Sequence, residues 1–183
     1  MNLPNRLTML RILFIPVIVI IYYIPSLDKE LFFGTSAKYL LIVLIFALAS
    51  ITDFLDGYFA RKLNLITTFG KFIDPLADKL LVSAALLLLV DAELVSTWIV
   101  IVILSREFIV SGIRLIASIE GKVIAAGKLG KYKTFSTMIA IMLLFISPLY
   151  MFGHYLMILA LVLTILSGYD YVYKNKEIIL SSK

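Results

Sequence analysis

AKYLLIVLIFALASITDFLDGYFA, residues 37–60, is an apolar run that ends in two carboxylates, Asp53 and Asp56. A membrane-spanning helix needs about 20 predominantly apolar residues, and this run has that length before its polar end is reached. Working outward, five further runs of the same character lie at 7–25, 72–90, 94–118, 130–147 and 150–172. Breakers and charges separate them: Pro25 to Glu30, Asn64 to Gly70, Asp91-Ala92-Glu93, Glu120 to Lys133, and Pro148 with Gly153. The first run ends in Tyr22-Tyr23-Ile24-Pro25, with no small-x-small cleavage site, so it reads as a retained helix and not a signal peptide. The pattern predicts an all-α, polytopic integral membrane protein of six transmembrane helices with an interfacial N-terminal segment, forming a single domain over residues 1–183.

Composition agrees with that expectation. Of the 183 residues 62% are apolar, against roughly 45–50% in soluble domains. Cysteine is absent, which excludes disulfides, thiolate metal sites and a cysteine nucleophile. The formal net charge of +5 fits loops beside anionic lipid headgroups better than nucleic acid. When the six runs are threaded alternately through a bilayer, 15 of the 17 basic residues fall on or near one side, with Lys29 and Lys38 on the other. The positive-inside rule then places both termini, and the chemistry, on the cytoplasmic face of a cell membrane.

Asp53 and Asp56 at the end of the second run, and Asp74 and Asp78 at the start of the third, lie at the membrane edge. A carboxylate at membrane depth costs about 2.5–3.5 kcal/mol, so four of them need a compensating partner. Spacings of i, i+3 and i, i+4 put each pair on one helix face, and antiparallel neighbours would bring the pairs together. One compensation is ion pairing with Arg61, Lys62, Lys71 and Lys79. The other is a pair of hard divalent cations, Mg²⁺ or Mn²⁺, suited to oxygen-only ligands and able to clamp both oxygens of a phosphoryl transfer.

The stretch Asp53-Phe-Leu-Asp56-Gly57-Tyr-Phe-Ala60-Arg61, eight residues, then Gly70-Lys-Phe-Ile-Asp74-Pro-Leu-Ala-Asp78 resembles the full signature of the CDP-alcohol phosphatidyltransferases. Six spans and the N-terminal Pro4-Asn5-x-x-Thr8-x-x-Arg11 extend the likeness over the chain. The resemblance implies that Asp53, Asp56, Asp74 and Asp78 hold the two metal ions, with Asp78 also serving as base toward the acceptor hydroxyl. It implies that Asn5, Thr8, Arg11, Asp56, Gly57, Ala60 and Arg61 form the CDP side of the site, Gly57 and Ala60 bordering the cytidine. It further implies CDP-diacylglycerol as donor, membrane lipids as surroundings, a homodimer, and a bacterial plasma membrane as the location.

Arg106 and Arg114 lie at i, i+8, about 80° apart around a helix, so both can face one cavity. Lys128, Lys131 and Lys133 crowd the start of the fifth run. The lysines fit a positive-inside loop; the cation surplus over Glu107 also fits a phosphorylated acceptor. The stretch Ser105-Arg106-Glu107-Phe108 through Gly112-x-Arg114, with Gly127-Lys-x-Gly-Lys-x-Lys-Thr134, resembles the branch of the family that uses sn-glycerol 3-phosphate. That resemblance implies Arg106, Arg114, Lys131 and Lys133 as ligands of its phosphate. Inositol phosphate, serine and phosphatidylglycerol are alternative acceptors. A divalent-cation transporter is the alternative of a different class, but Leu40 to Ala49 and Ala84 to Leu89 supply no polar path to the far side. His154 and most tyrosines near run ends, Tyr171 among them, read as interfacial residues, and Asp170 with Lys174 as an i, i+4 pair.

Overall fold

The computed structural model describes residues 3–62, 68–119, 124 and 127–176, with the side chains at 3–6, 53–62, 68–72, 119 and 128 outside that description. Six α-helices are present among the described residues: α1 (Leu3–Tyr22), α2 (Ala37–Lys62), α3 (Thr68–Asp91), α4 (Thr97–Ile119), α5 (Lys128–Leu144) and α6 (Tyr150–Lys174). A two-stranded antiparallel hairpin, β1 (Glu30–Phe32) and β2 (Thr35–Ser36), joins α1 to α2. The fold is therefore mostly helical, as expected, with one small sheet that was not.

Helix ends follow local chemistry. The first helix begins at Leu3, so Asn5, Thr8 and Arg11 lie inside it and no separate interfacial segment precedes it among the described residues. Its end at Tyr22 comes before the 3₁₀ turn Pro25–Leu27, because the residue preceding a proline is pushed out of the helical region. The fifth helix stops at Leu144, short of 147, and a 3₁₀ turn at Ser147–Leu149 takes in Pro148. Pro75 sits inside α3 between Asp74 and Asp78; lacking an N–H, it interrupts the helical hydrogen-bond ladder beside both carboxylates.

Each helix turns one stripe inward. On α1 the stripe is Thr8, Arg11, Ile15, Ile18 and Tyr22, spaced by three and four. On α3, Asp74 and Asp78 continue the buried stripe of Leu81, Ala85 and Leu88. The helix α1 packs on α2 and α3, α5 packs on α6, and α6 also meets α4. The first and third helices run parallel, since Thr8 meets Asp74, Arg11 meets Asp78 and Tyr23 meets Asp91.

The main core fills the half of the bundle nearest the hairpin and includes Ile18, Ile42, Phe46, Leu86, Leu89, Ile103, Ile141, Leu144 and Phe145. Helix α5 lies close on α6: a Cβ on Gly153 would stand 2.8 Å from the Leu144 backbone nitrogen, so only glycine allows this approach. The hairpin is clasped onto the α5–α6 turn, where Ser147 N–H donates to Thr35 Oγ1 at 3.0 Å and Ser147 Oγ donates to the Gly34 carbonyl at 2.8 Å.

The outer faces of the helices are apolar, with Leu13, Ile20, Leu44, Leu87, Trp98, Phe108, Phe135 and Ile165 exposed, as expected where lipid is the surrounding phase. Among the described residues one helix with its leading turn, Ser147–Lys174, is long and apolar enough to cross a membrane, and Leu7–Tyr22 and Ala37–Thr52 are shorter apolar stretches. Ionisable residues within α3, α4 and α5 interrupt their apolar runs.

Candidate active site

Two neighbouring cavities occupy the end of the bundle away from the hairpin. The larger, about 410 Å³, lies between α4, α5 and α6, and Arg106, Arg114 and Lys131 line it together with Lys79, Glu107 and Tyr171. The smaller, about 230 Å³, includes Asp78 and Lys133 in its wall. Lys79, Glu107, Arg114 and Thr134 border both, so the carboxylate end of α3 and the cationic region share a wall.

On the carboxylate side, two α1 residues aim at the two described aspartates. Thr8 Oγ1 donates to Asp74 Oδ1. Arg11 is 1% exposed and its Nη1 donates to Asp78 Oδ1 at 2.7 Å. Burying a guanidinium that deeply demands an anion beside it, which ties the start of α1 to the start of α3. Thr8 and Arg11, expected on the nucleotide side, thus touch two of the expected metal ligands. The side chains of Asn5, Asp53, Asp56, Gly57, Ala60 and Arg61 lie outside the described residues, as does that of Lys128. Among the described residues no group of three or more acidic or histidine side chains converges. Asp74 and Asp78, half-buried one turn apart, are an oxygen-only donor pair that suits a hard divalent cation.

On the cationic side, Glu107 is the organising anion. Arg106 Nη1 and Lys133 Nζ both close on its Oε1, at 3.0 and 2.6 Å. Lys133 is 2% exposed; it borders the smaller cavity and not the larger one. Arg106 also donates to Ser167 Oγ at 3.1 Å and runs across Gly168, where a Cβ would lie 3.1 Å from Arg106 Cγ. Glycine at 168 thus leaves the space through which Arg106 reaches the cavity. Arg114 Nε donates to Tyr171 Oη at 3.3 Å, and its guanidinium sits 5.6 Å from the Tyr171 ring centre. Both contacts hold the cation over the cavity.

Sequence reasoning grouped Arg106, Arg114, Lys131 and Lys133 around one phosphate; the first three line the larger cavity, whereas Lys133 lies in the wall of the smaller one. It did not place Lys79, which donates to Ser111 Oγ between the two cavities. It read Tyr171 as interfacial, whereas that ring is buried against Arg114. A signal was present in the stripe Gly153, Met157, Ala160, Thr164, Ser167 and Tyr171, all buried on α6: a small and polar stripe on an otherwise apolar helix marks the interior face. Asp170 pairs with Lys174 at 2.8 Å, as expected, and also borders the larger cavity.

A helical bundle with carboxylates opposite a cation-lined cavity is the architecture of an enzyme that handles phosphorylated groups at a membrane. The model for CDP-alcohol phosphatidyltransferase matches residues 1–166, and the chain belongs to that family, which is membrane-associated and generally dependent on divalent metal. The chain is 45% identical over 190 aligned positions to the CDP-diacylglycerol--glycerol-3-phosphate 3-phosphatidyltransferase of Bacillus subtilis, covering 99% of this chain and 98% of that one. It is 42% identical to the enzyme of the same name from Rickettsia typhi, covering 93% and 94% of the two chains. A relative in Mycobacterium tuberculosis, described as a probable phosphatidylglycerophosphate synthase, is 39% identical over 93% of this chain and 80% of its own.

Proposed function

We propose that this protein transfers the phosphatidyl group of CDP-diacylglycerol to sn-glycerol 3-phosphate, giving phosphatidylglycerophosphate and CMP. The observation that carries this reading is the near full-length identity to the Bacillus subtilis enzyme of that description, and the cation-lined cavity beside Asp78 supports it.

In this reading a primary hydroxyl of glycerol phosphate attacks the lipid-linked phosphorus in line. A new P–O bond forms, the P–O bond to CMP breaks, and CMP leaves with the electron pair. Asp78 accepts the hydroxyl proton, a modest contribution beside positioning and charge neutralisation. Arg11 holds Asp78 in place from α1, and Thr8 does the same for Asp74. The acceptor phosphate sits among Arg106, Arg114 and Lys131, with Lys133 behind them. Asn5, Thr8, Arg11, Asp56, Gly57, Ala60 and Arg61 form the nucleotide side. Asp53, Asp56, Asp74 and Asp78 would hold two Mg²⁺ or Mn²⁺ ions, which when bound neutralise the diphosphate and polarise the phosphorus.

The protein works as a single domain over residues 1–183, as a homodimer, with six spans and both termini and the active site on the cytoplasmic face of a bacterial plasma membrane. The apolar outer faces of the helices support the membrane setting, and the basic residues gathered at one side support the orientation.

The test is CMP release from CDP-diacylglycerol by the purified protein with Mg²⁺, comparing glycerol 3-phosphate, inositol phosphate, serine, phosphatidylglycerol and no acceptor. Release with glycerol 3-phosphate alone, lost on chelation and restored by Mg²⁺ or Mn²⁺, is the expected result. Release with another acceptor would keep the carboxylate chemistry and remove the acceptor assignment. No release with any acceptor would return attention to cation transport.

A further inference from the structure

Glu107 stands where the two cavities meet and borders both. Its side chain is 19% exposed, and the two cations hydrogen-bonded to it, Arg106 and Lys133, converge on a single oxygen, Oε1. A carboxylate has about four lone-pair sites on two oxygens, so Oε2 is the oxygen that neither cation occupies. The other carboxylate bordering the larger cavity, Asp170, is taken up by Lys174 on a more exposed part of α6. Glu107 is therefore the carboxylate positioned between the phosphate-binding cations and Asp78.

A glycerol phosphate bound as described above has its phosphate among Arg106, Arg114 and Lys131 and its reacting hydroxyl toward Asp78. The carbon between them, which carries the remaining hydroxyl, then passes the wall shared by both cavities. Resting on that reading of the acceptor, we propose that Glu107 Oε2 accepts a hydrogen bond from the hydroxyl on the middle carbon, making Glu107 a specificity-determining residue for a vicinal diol phosphate. Arg106 and Lys133 hold the carboxylate charged and oriented. A site that pairs a buried acceptor with a substrate hydroxyl discriminates strongly against an analogue lacking it, because the acceptor is then left unsatisfied.

The experiment compares three acceptors on the intact protein: glycerol 3-phosphate, 3-hydroxypropyl phosphate, which lacks the middle hydroxyl, and its 2-fluoro derivative, which places an acceptor atom there. The expected order of KM is hydroxyl lowest, hydrogen about 10- to 100-fold higher, and fluorine higher still, because fluorine faces a carboxylate oxygen. In Glu107→Gln the two cations retain the amide oxygen and the amide nitrogen faces the cavity. That nitrogen donates, and hydroxyl and fluorine both accept, so the fluoro acceptor should now bind better than the deoxy one, reversing the wild-type order of those two, with KM for CDP-diacylglycerol unchanged.

A fluoro acceptor that the wild-type protein binds better than the deoxy one overturns the proposal, since a donor would then be reading that position. So does wild-type KM that is indifferent to the middle substituent, or an order of fluoro and deoxy acceptors that is the same in Glu107→Gln as in the wild type. The wild-type series decides the matter if the variant does not fold. Failure of glycerol 3-phosphate itself, with turnover on another acceptor, would instead remove the acceptor assignment made above.

Discussion

The two ends of this bundle solve opposite problems. At the hairpin end, apolar side chains from all six described helices interlock, α5 and α6 touch through Gly153, and the hairpin closes over the top. At the far end, Arg11 pairs with Asp78 and Lys133 with Glu107, buried or half-buried charges that compensate each other across helices. Buried ion pairs add little net stability, because desolvation offsets much of the attraction, yet removing one partner is costly. The hairpin end thus holds the helices together, while the far end keeps charges at fixed positions for chemistry.

That division can be broken or sharpened by mutation. The largest effect should come from Asp78→Asn, which removes the proton acceptor and weakens the hold on Arg11: kcat for CMP release should fall about 10²- to 10⁴-fold. An undiminished kcat would remove Asp78 from the base role. Next, Arg114→Ala takes a cation out of the cavity without touching the Glu107 network. Acceptor KM should rise about 10-fold or more, the loss expected for a charge-assisted contact, while KM for the liponucleotide holds. Equal rises in both would place Arg114 outside the acceptor pocket. The smallest kinetic effect should come from Gly153→Ala. It forces a methyl against the α5 backbone and should cost about 1–3 kcal/mol, read as a Tm lower by several degrees with both KM values unmoved. A changed acceptor KM there would show that the two ends are coupled.

The helices were legible because each apolar run is closed by a proline, a glycine or a cluster of charge, and those signals act locally. The hairpin was not, because Glu30 to Ser36 is too short for an alternating pattern and owes its position to Ser147. The aspartate spacing was readable from helical geometry alone. That Thr8 and Arg11 reach Asp74 and Asp78 depends on α1 and α3 lying parallel in matched register, which no local pattern encodes. The same holds for Glu107. Its proximity to Arg106 is a matter of sequence, whereas its capture of Lys133 depends on where α5 docks.

The clasp between the hairpin and the α5–α6 turn carries a consequence for biogenesis. Thr35 is fully buried, and its hydroxyl accepts from a backbone amide 112 residues further along the chain. During synthesis the hairpin emerges early but has nothing to close on until Ser147 has been made, so α1 and α2 wait with that end unsealed. A ribosome stalled before residue 147 leaves the half-built bundle with a polar group that only the missing segment satisfies. Loss of the 147–149 turn should therefore leave the hairpin open even where α1 and α2 have formed.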